Sequence, residues 1–162
     1  MIDSETKMGD GVTLHGTLSA WKVYPDRREL AFKEVNVVTL SAKQSVLAAV
    51  YASSLTADPV SSLRVGIGGT VDPAGLYPKP VNQSLSSLYN YLNTIATSYT
   101  VDNTIPAVTY LADLDQGTGN GQLITEAALY RLSGTMFNIR TFPGIPKTSE
   151  FSIHFEWTIK IA

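Results

Sequence analysis

Between Phe151 and Ile161 the chain alternates without interruption. Phe151, Ile153, Phe155, Trp157, Ile159 and Ile161 share one parity, and Ser152, His154, Glu156, Thr158 and Lys160 share the other. Alternate side chains of a strand stand on opposite faces. The segment therefore predicts a strand with one wholly apolar face, aromatic rings included, and one wholly polar face. Such a strand belongs in an antiparallel sheet that buries one side. With Ala162 following at once, the C-terminus is expected to be held in that sheet. The feature fixes a scaffold and carries no chemistry.

Composition bounds the classes open to such a scaffold. The 162 residues read as a flexible, polar N-terminal arm over residues 1–11 followed by a single β-sandwich domain over residues 12–162. A chain of this size buries about 70% of its unfolded surface and needs no covalent staples. It has no cysteine, so disulfides and thiolate metal sites are closed to it. Charged residues make up 16% of the chain, against about 25% in ordinary soluble domains. That deficit fits either a Thr/Ser/Asn-rich surface or an exterior covered by other chains. The net charge is −2, and Lys and Arg are scattered, with Arg27-Arg28 the one adjacent basic pair; nucleic acid is not an expected partner. No apolar run approaches the roughly 20 residues of a membrane helix, and the first residues lack a signal-peptide core. The expectation is a protein made in the cytoplasm that leaves it only within a larger particle.

Along the chain, Val12–Tyr24 reads as a strand whose apolar parity switches near Ala20, a sign of a β-bulge or of burial on both faces. Pro25–Arg28 is a turn, and Glu29–Val38 returns to complete a hairpin. Ala42–Ser54 has helical spacing behind a Ser41 cap. Leu63–Ile67 reads as a strand entering Gly68-Gly69, and Val71–Asn82, with three prolines, reads as a loop. Leu85, Leu88, Leu92 and Ile95 fall at helical intervals within Ser84–Ile95, while Tyr89 and Tyr91 suit a strand there instead. Strands follow over Ala96–Val101 and Ala107–Ala112. A glycine-rich loop occupies Asp115–Gly121, and Leu123–Leu132 and Met136–Thr141 flank the hairpin signal Ser133-Gly134-Thr135. Pro143, Gly144 and Pro146 mark a last loop. Many short strands at this spacing predict a mainly β fold, an antiparallel β-sandwich of jelly-roll-like type, with one or two short helices.

Five patterns invite a chemical reading. Gly66–Thr70 resembles a phosphate loop but lacks the spacing of a dinucleotide fingerprint and the lysine of a P-loop. Asp113, Asp115 and Gly117 open like a calcium loop, yet Glu126, the candidate closing carboxylate, falls inside a predicted strand, and a hydrogen-bonded turn explains the same residues. Ser152, His154 and Glu156 share one strand face in triad-like order. Same-face neighbours lie about 7 Å apart, too far for a nucleophile–base hydrogen bond, and no nucleophile elbow accompanies them. His15 has no companion ligand for zinc. Glu126, set among Ile124, Ala127, Ala128 and Leu129, reads as a buried carboxylate paired with Arg131 or Arg140. The residues nominate no catalytic, cofactor-binding or metal site, and no enzyme.

The order of segments is similar to that in small structural proteins of tailed bacteriophages. It runs from the N-terminal hairpin through Asn36–Thr39 to Leu63–Thr70 and Leu88-Tyr89. It continues through Ile124–Leu129, Gly134–Phe142 and Lys147 to the closing Trp157–Ile159. Over about residues 12–161 the chain resembles proteins of the neck, collar or tail and fibre-associated modules. The resemblance implies a non-enzymatic virion component, present in symmetric copies, whose partners are other phage structural proteins and further copies of itself. Two alternatives stand beside it. One is a capsid decoration protein clamping shell subunits. The other is a carbohydrate-binding receptor module that would use Trp21, Tyr24, Tyr77, Tyr89, Tyr91, Tyr99, Tyr110 and Tyr130 as stacking faces.

Overall fold

Eleven strands and no helix make up the described residues (6–8, 12–35, 37–39, 58–68, 86–102, 104–105 and 107–161) of the computed structural model. The strands are β1 (Thr6–Met8), β2 (Val12–Val23), β3 (Arg28–Val35), β4 (Val37–Val38), β5 (Val60–Gly66), β6 (Tyr91–Ala96), β7 (Ser98–Asp102), β8 (Ala107–Leu114), β9 (Leu123–Arg131), β10 (Met136–Pro146) and β11 (Ser152–Ile161). They form two antiparallel sheets. The first runs β1-β2-β11-β8-β7, with β3 also paired to β2; the second runs β4-β10-β9-β5-β6. One core cluster joins Leu18, Ala20, Ile153, Phe155 and Trp157 of the first sheet to Leu63, Val65, Ala127 and Leu129 of the second. The arrangement is consistent with a β-sandwich.

The alternating terminal segment is the centre of the first sheet. β11 pairs with β2 from Ser152↔Val23 to Ile161↔Leu14, and with β8 from Ile153↔Leu114 to Lys160↔Ala107. Ile153, Phe155 and Trp157 are fully buried, while Ser152, His154, Glu156 and Thr158 are half-buried on the other face. Period-2 alternation is the signature of a sheet with one solvated face, and this strand shows it in burial from Ser152 to Ile159. Leu18 and Ala20 of β2 point inward, and Trp21 and Val23 are half-exposed. The parity switch read near Ala20 coincides with a bulge, which lies on the partner strand. Ala20 pairs with Phe32 and Trp21 with Leu30, leaving Ala31 as the extra residue.

The second sheet is buried more deeply. Every residue of β9 from Ile124 to Arg131 is buried. A second cluster of Ala128, Tyr130, Met136 and Ile139, capped by Leu88, covers the face turned away from the main core. Within the stretch read as an arm, Thr6–Met8 pairs with Val12–Leu14.

Two expectations change. Tyr91–Ala96, the end of the stretch with helical leucine spacing, is a strand paired to β5. Tyr91, Thr94 and Ile95 suit a pleated surface, and Leu92 and Ile95 reach the core from a strand as they would from a helix. The other expected helix, Ala42–Ser54, lies outside the described residues. Pro143, Gly144 and Pro146 belong to β10, not to a loop. Thr141 opposes Glu126 and Ile145 opposes Ile124, so the chain carries its prolines through a wide bulge and the strand end.

Candidate functional site

Glu126 sits in the second sheet with no exposed surface. Its carboxylate meets neither Arg131 nor Arg140, the partners expected from sequence. Arg131 lies 3.7 Å from Asp58, and Arg140 pairs with Glu34. Glu126 instead accepts three backbone N–H bonds. Gly68 and Asn90 donate to Oε1 at 3.0 and 2.7 Å, and Tyr89 donates to Oε2 at 2.9 Å. The neighbouring Thr125 hydroxyl donates to the Gly68 carbonyl at 2.9 Å. A buried polar group is tolerable only when it is bonded in this way. The geometry also explains the glycines. A Cβ on Gly66 or Gly68 would lie 2.4 or 2.3 Å from Glu126 Oε1, so only glycine lets the backbone come this close. The segment that looked like a phosphate cradle therefore spends the Gly68 amide on the protein's own carboxylate. Gly69 and Thr70 lie outside the described residues.

The glycine-rich loop between β8 and β9 closes on a cation that the chain itself supplies. Lys147, 1% exposed, donates to the carbonyls of Gln116 (3.2 Å) and Thr148 (2.8 Å) and to Asn120 Oδ1 (3.1 Å). Backbone bonds Gly121 N–H to Lys147 O and Lys147 N–H to Gln122 O, both 2.9 Å, fasten the two segments. Gly119 and Gly121 take φ of 77° and 82°, left-handed values that favour glycine at these turns of the loop. Burial pushes the Lys147 amine below its ordinary value, and nearby Asp115 opposes that push. Asp113 and Asp115, the carboxylates of the calcium-like pattern, are both exposed. No group of three or more His, Asp or Glu is arranged to hold a metal among the described residues.

His154 lies between two carboxylates on the solvated face of the first sheet. Its Nδ1 is 2.7 Å from Asp113 Oδ1, and its Nε2 is 3.4 Å from Glu156 Oε1. Arg28 continues the row with a 2.7 Å bond to Glu156, and its guanidinium stacks on Trp21 at 4.2 Å. Both ring nitrogens of His154 thus face anions. Among the described residues no hydrogen bond joins Ser152 to His154, so the triad-like order does not assemble. His15 stands opposite Lys160 in the strand register. The aromatic residues do not converge on one cleft. Arg27 covers Tyr24 at 3.9 Å, and Tyr130 is buried under Arg64 on the outer face of the second sheet. Tyr99 and Tyr110 meet at 6.4 Å near the edge of the first. Burial raises the hydroxyls of Tyr110 and Tyr130 above the ordinary tyrosine value. Tyr77 lies outside the described residues.

The surface with unspent binding capacity is one side of the sandwich. β6 ends the second sheet and β7 ends the first, and Thr97 alone separates them in sequence. All five residues of β7 are exposed. Four of the eight large hydrophobics exposed among the described residues, Tyr91, Tyr99, Val101 and Ile105, fall in this short stretch. Asp102 is the one charged residue between Lys79 and Asp113. It is occupied in closing its own turn, accepting from Thr104 N–H at 2.8 Å and from the Thr104 hydroxyl at 2.6 Å. The charge-poor run is plain in the sequence, but it matches no motif. Lys147 left no comparable trace, because its acceptors come from a loop about thirty residues away.

Protein-family models, curated proteins and solved structures were each compared with the chain, and none matches it. No helix among the described residues is long and apolar enough to cross a membrane.

Proposed function

We propose that this chain is a non-enzymatic building block of a tailed-phage virion, present in several copies in the neck, collar or tail. Its partners are further copies of itself and neighbouring virion proteins; nucleic acid and membrane are not among them. The host cytoplasm makes it and the particle keeps it. The observation that carries the multi-copy part is the charge-poor side of the sandwich, where among the described residues no further strand lies beside β6 or β7 and Tyr99 and Val101 face solvent. Soluble monomers guard such edges with charge, bulges or cover. The order of sequence motifs supports the phage setting. The nested pairings β2·β11, β4·β10, β5·β9 and β7·β8 are those of a chain folded back on itself, the feature on which the jelly-roll-like reading rests.

Two measurements test the reading. Light scattering on the full chain is expected to give a mass above 17.5 kDa, that of a single copy. Gold-labelled antibody on purified particles is expected to mark one vertex or the tail. Label over the whole head would make the chain a decoration protein. A monomer that binds a defined glycan on an array would make it a sugar-binding module.

A further inference from the structure

We propose that two copies of the chain join by antiparallel pairing of their β7 strands about a two-fold axis at Thr100. The inference rests on the multi-copy reading above and specifies its contact.

The described edges differ in how open they are. β3 carries Arg28, Glu29, Lys33 and Glu34 and the bulge at Ala31, the devices by which an edge avoids pairing with another chain. β1 and β4 are three and two residues long. β6 is interrupted at Leu92, since Asn93 pairs with Val65 and Tyr91 with Gly66. β7 has no bulge or break, and its single charge, Asp102, stands at its end. It pairs with β8 in unbroken register from Ser98↔Leu111 to Asp102↔Ala107, and its other side is free of any strand among the described residues.

The sequence of β7 complements itself. In antiparallel pairing centred on Thr100, Tyr99 stands opposite the partner's Val101, Ser98 opposite the partner's Asp102, and Thr100 opposite the partner's Thr100. Aromatic–β-branched and Thr–Thr pairs are among the favourable cross-strand pairs. The single charge meets a hydroxyl and never its own copy. The pairing also continues the core. Trp157, Tyr110 and Tyr99 lie in one row across the first sheet through the pairings Trp157↔Tyr110 and Tyr110↔Tyr99. Trp157 has no exposed surface, Tyr110 is half-buried and Tyr99 is 66% exposed. The apolar layer between the sheets thus runs out to solvent on this side, and a second copy would close it. A two-fold contact is isologous, with one patch serving both partners, as an edge of this composition requires. The charged β3 edge offers it no match.

The test uses the full chain in three forms. Thr100 is exposed, so Thr100→Lys and Thr100→Glu should each fold, with circular dichroism and melting as the check. Like charges meeting on the axis should weaken association by on the order of a hundredfold. Each variant alone is expected to show half the wild-type mass, and an equimolar mixture of the two is expected to recover it. If the wild type is assembled and Thr100→Lys keeps the same mass, the β7 contact is wrong and the multi-copy reading stands. If the wild type is a monomer at every concentration, both fall. Should the charged variants fail to fold, Thr100→Cys decides, because the chain has no other cysteine. A dimer band on mild oxidation, absent for a Glu150→Cys control, supports the pairing. No band from an assembled protein overturns it.

Discussion

At the scale of single residues, the two most deeply buried charged side chains bind backbone and leave no group free for chemistry. Glu126 offers only acceptors to the amides of Gly68, Tyr89 and Asn90. Glutamine has the same size but turns an NH₂ toward at least one of those donors. Glu126→Gln is therefore expected to lower stability by about 2–3 kcal/mol, since hydrogen bonds to charged groups are the stronger class and an unpaired buried donor is costly. Urea denaturation reads the loss, and hydrogen exchange should show the Tyr89 and Asn90 amides opening first. An unmoved midpoint would mean the three bonds are dispensable. Lys147→Met keeps the stem and removes the ammonium from Gln116, Asn120 and Thr148. Its expected cost is about 1 kcal/mol, the low end for such a loss. Burial already opposes the charge at this position, which offsets part of what the bonds contribute. A melting curve checks it, along with faster exchange at the Gly121 amide.

At the scale of elements, two turns are closed by carboxylates, one exposed and one half-buried. Asp102 closes the turn between β7 and β8 with bonds to Thr104. Asp58 holds the β9–β10 turn through Ser133, accepting from its N–H at 2.8 Å and its hydroxyl at 2.7 Å. The hydroxyl bonds, helped by the backbone ones, hold both carboxyls below the ordinary value of 3.8. A folded-state value below the unfolded one adds stability above the unfolded value and loses it as pH falls through the folded one. The melting temperature should therefore drop on acidification below pH 3.8. The double variant Asp58→Asn/Asp102→Asn should show a shallower drop, and an identical acid slope would refute the assignment. The elements also show how far the sequence could be read. The terminal strand was legible because it buries one face, and a buried face imposes period 2. The first hairpin was legible from its Pro25–Arg28 turn, but its returning strand, read as Glu29–Val38, pairs with β2 only to Val35, and Val37–Val38 passes to the second sheet. Tyr91–Ala96 was not legible, because Leu85, Leu88, Leu92 and Ile95 fit a helical wheel and only pairing with β5 decides for a strand. Nor was β10 beyond Thr141, where a bulge admits the prolines that usually end a strand. Of the nominated sites, burial of Glu126 was legible from its apolar neighbours, but its partners were not. They are amides, and any residue type can supply one.

At the scale of the whole molecule, the two sheets hold together through one layer of side chains, and Trp157, among its largest members, has no exposed surface. Trp157→Ala is expected to cost about 3–5 kcal/mol, a large share of the roughly 5–15 kcal/mol that holds a domain of this kind folded. Calorimetry reads the loss, and a full-strength melt would mean that the layer is organised around other residues. The remaining consequence belongs to Lys147. Loops rich in glycine and carbonyl oxygen commonly borrow their positive charge from the medium and lose shape when it is withheld. Here the charge is tethered by covalent bonds, present once per polypeptide at any dilution. Chelators and desalting change the supply of free ions but not this one, so the melting curve is expected to be the same with and without a chelator.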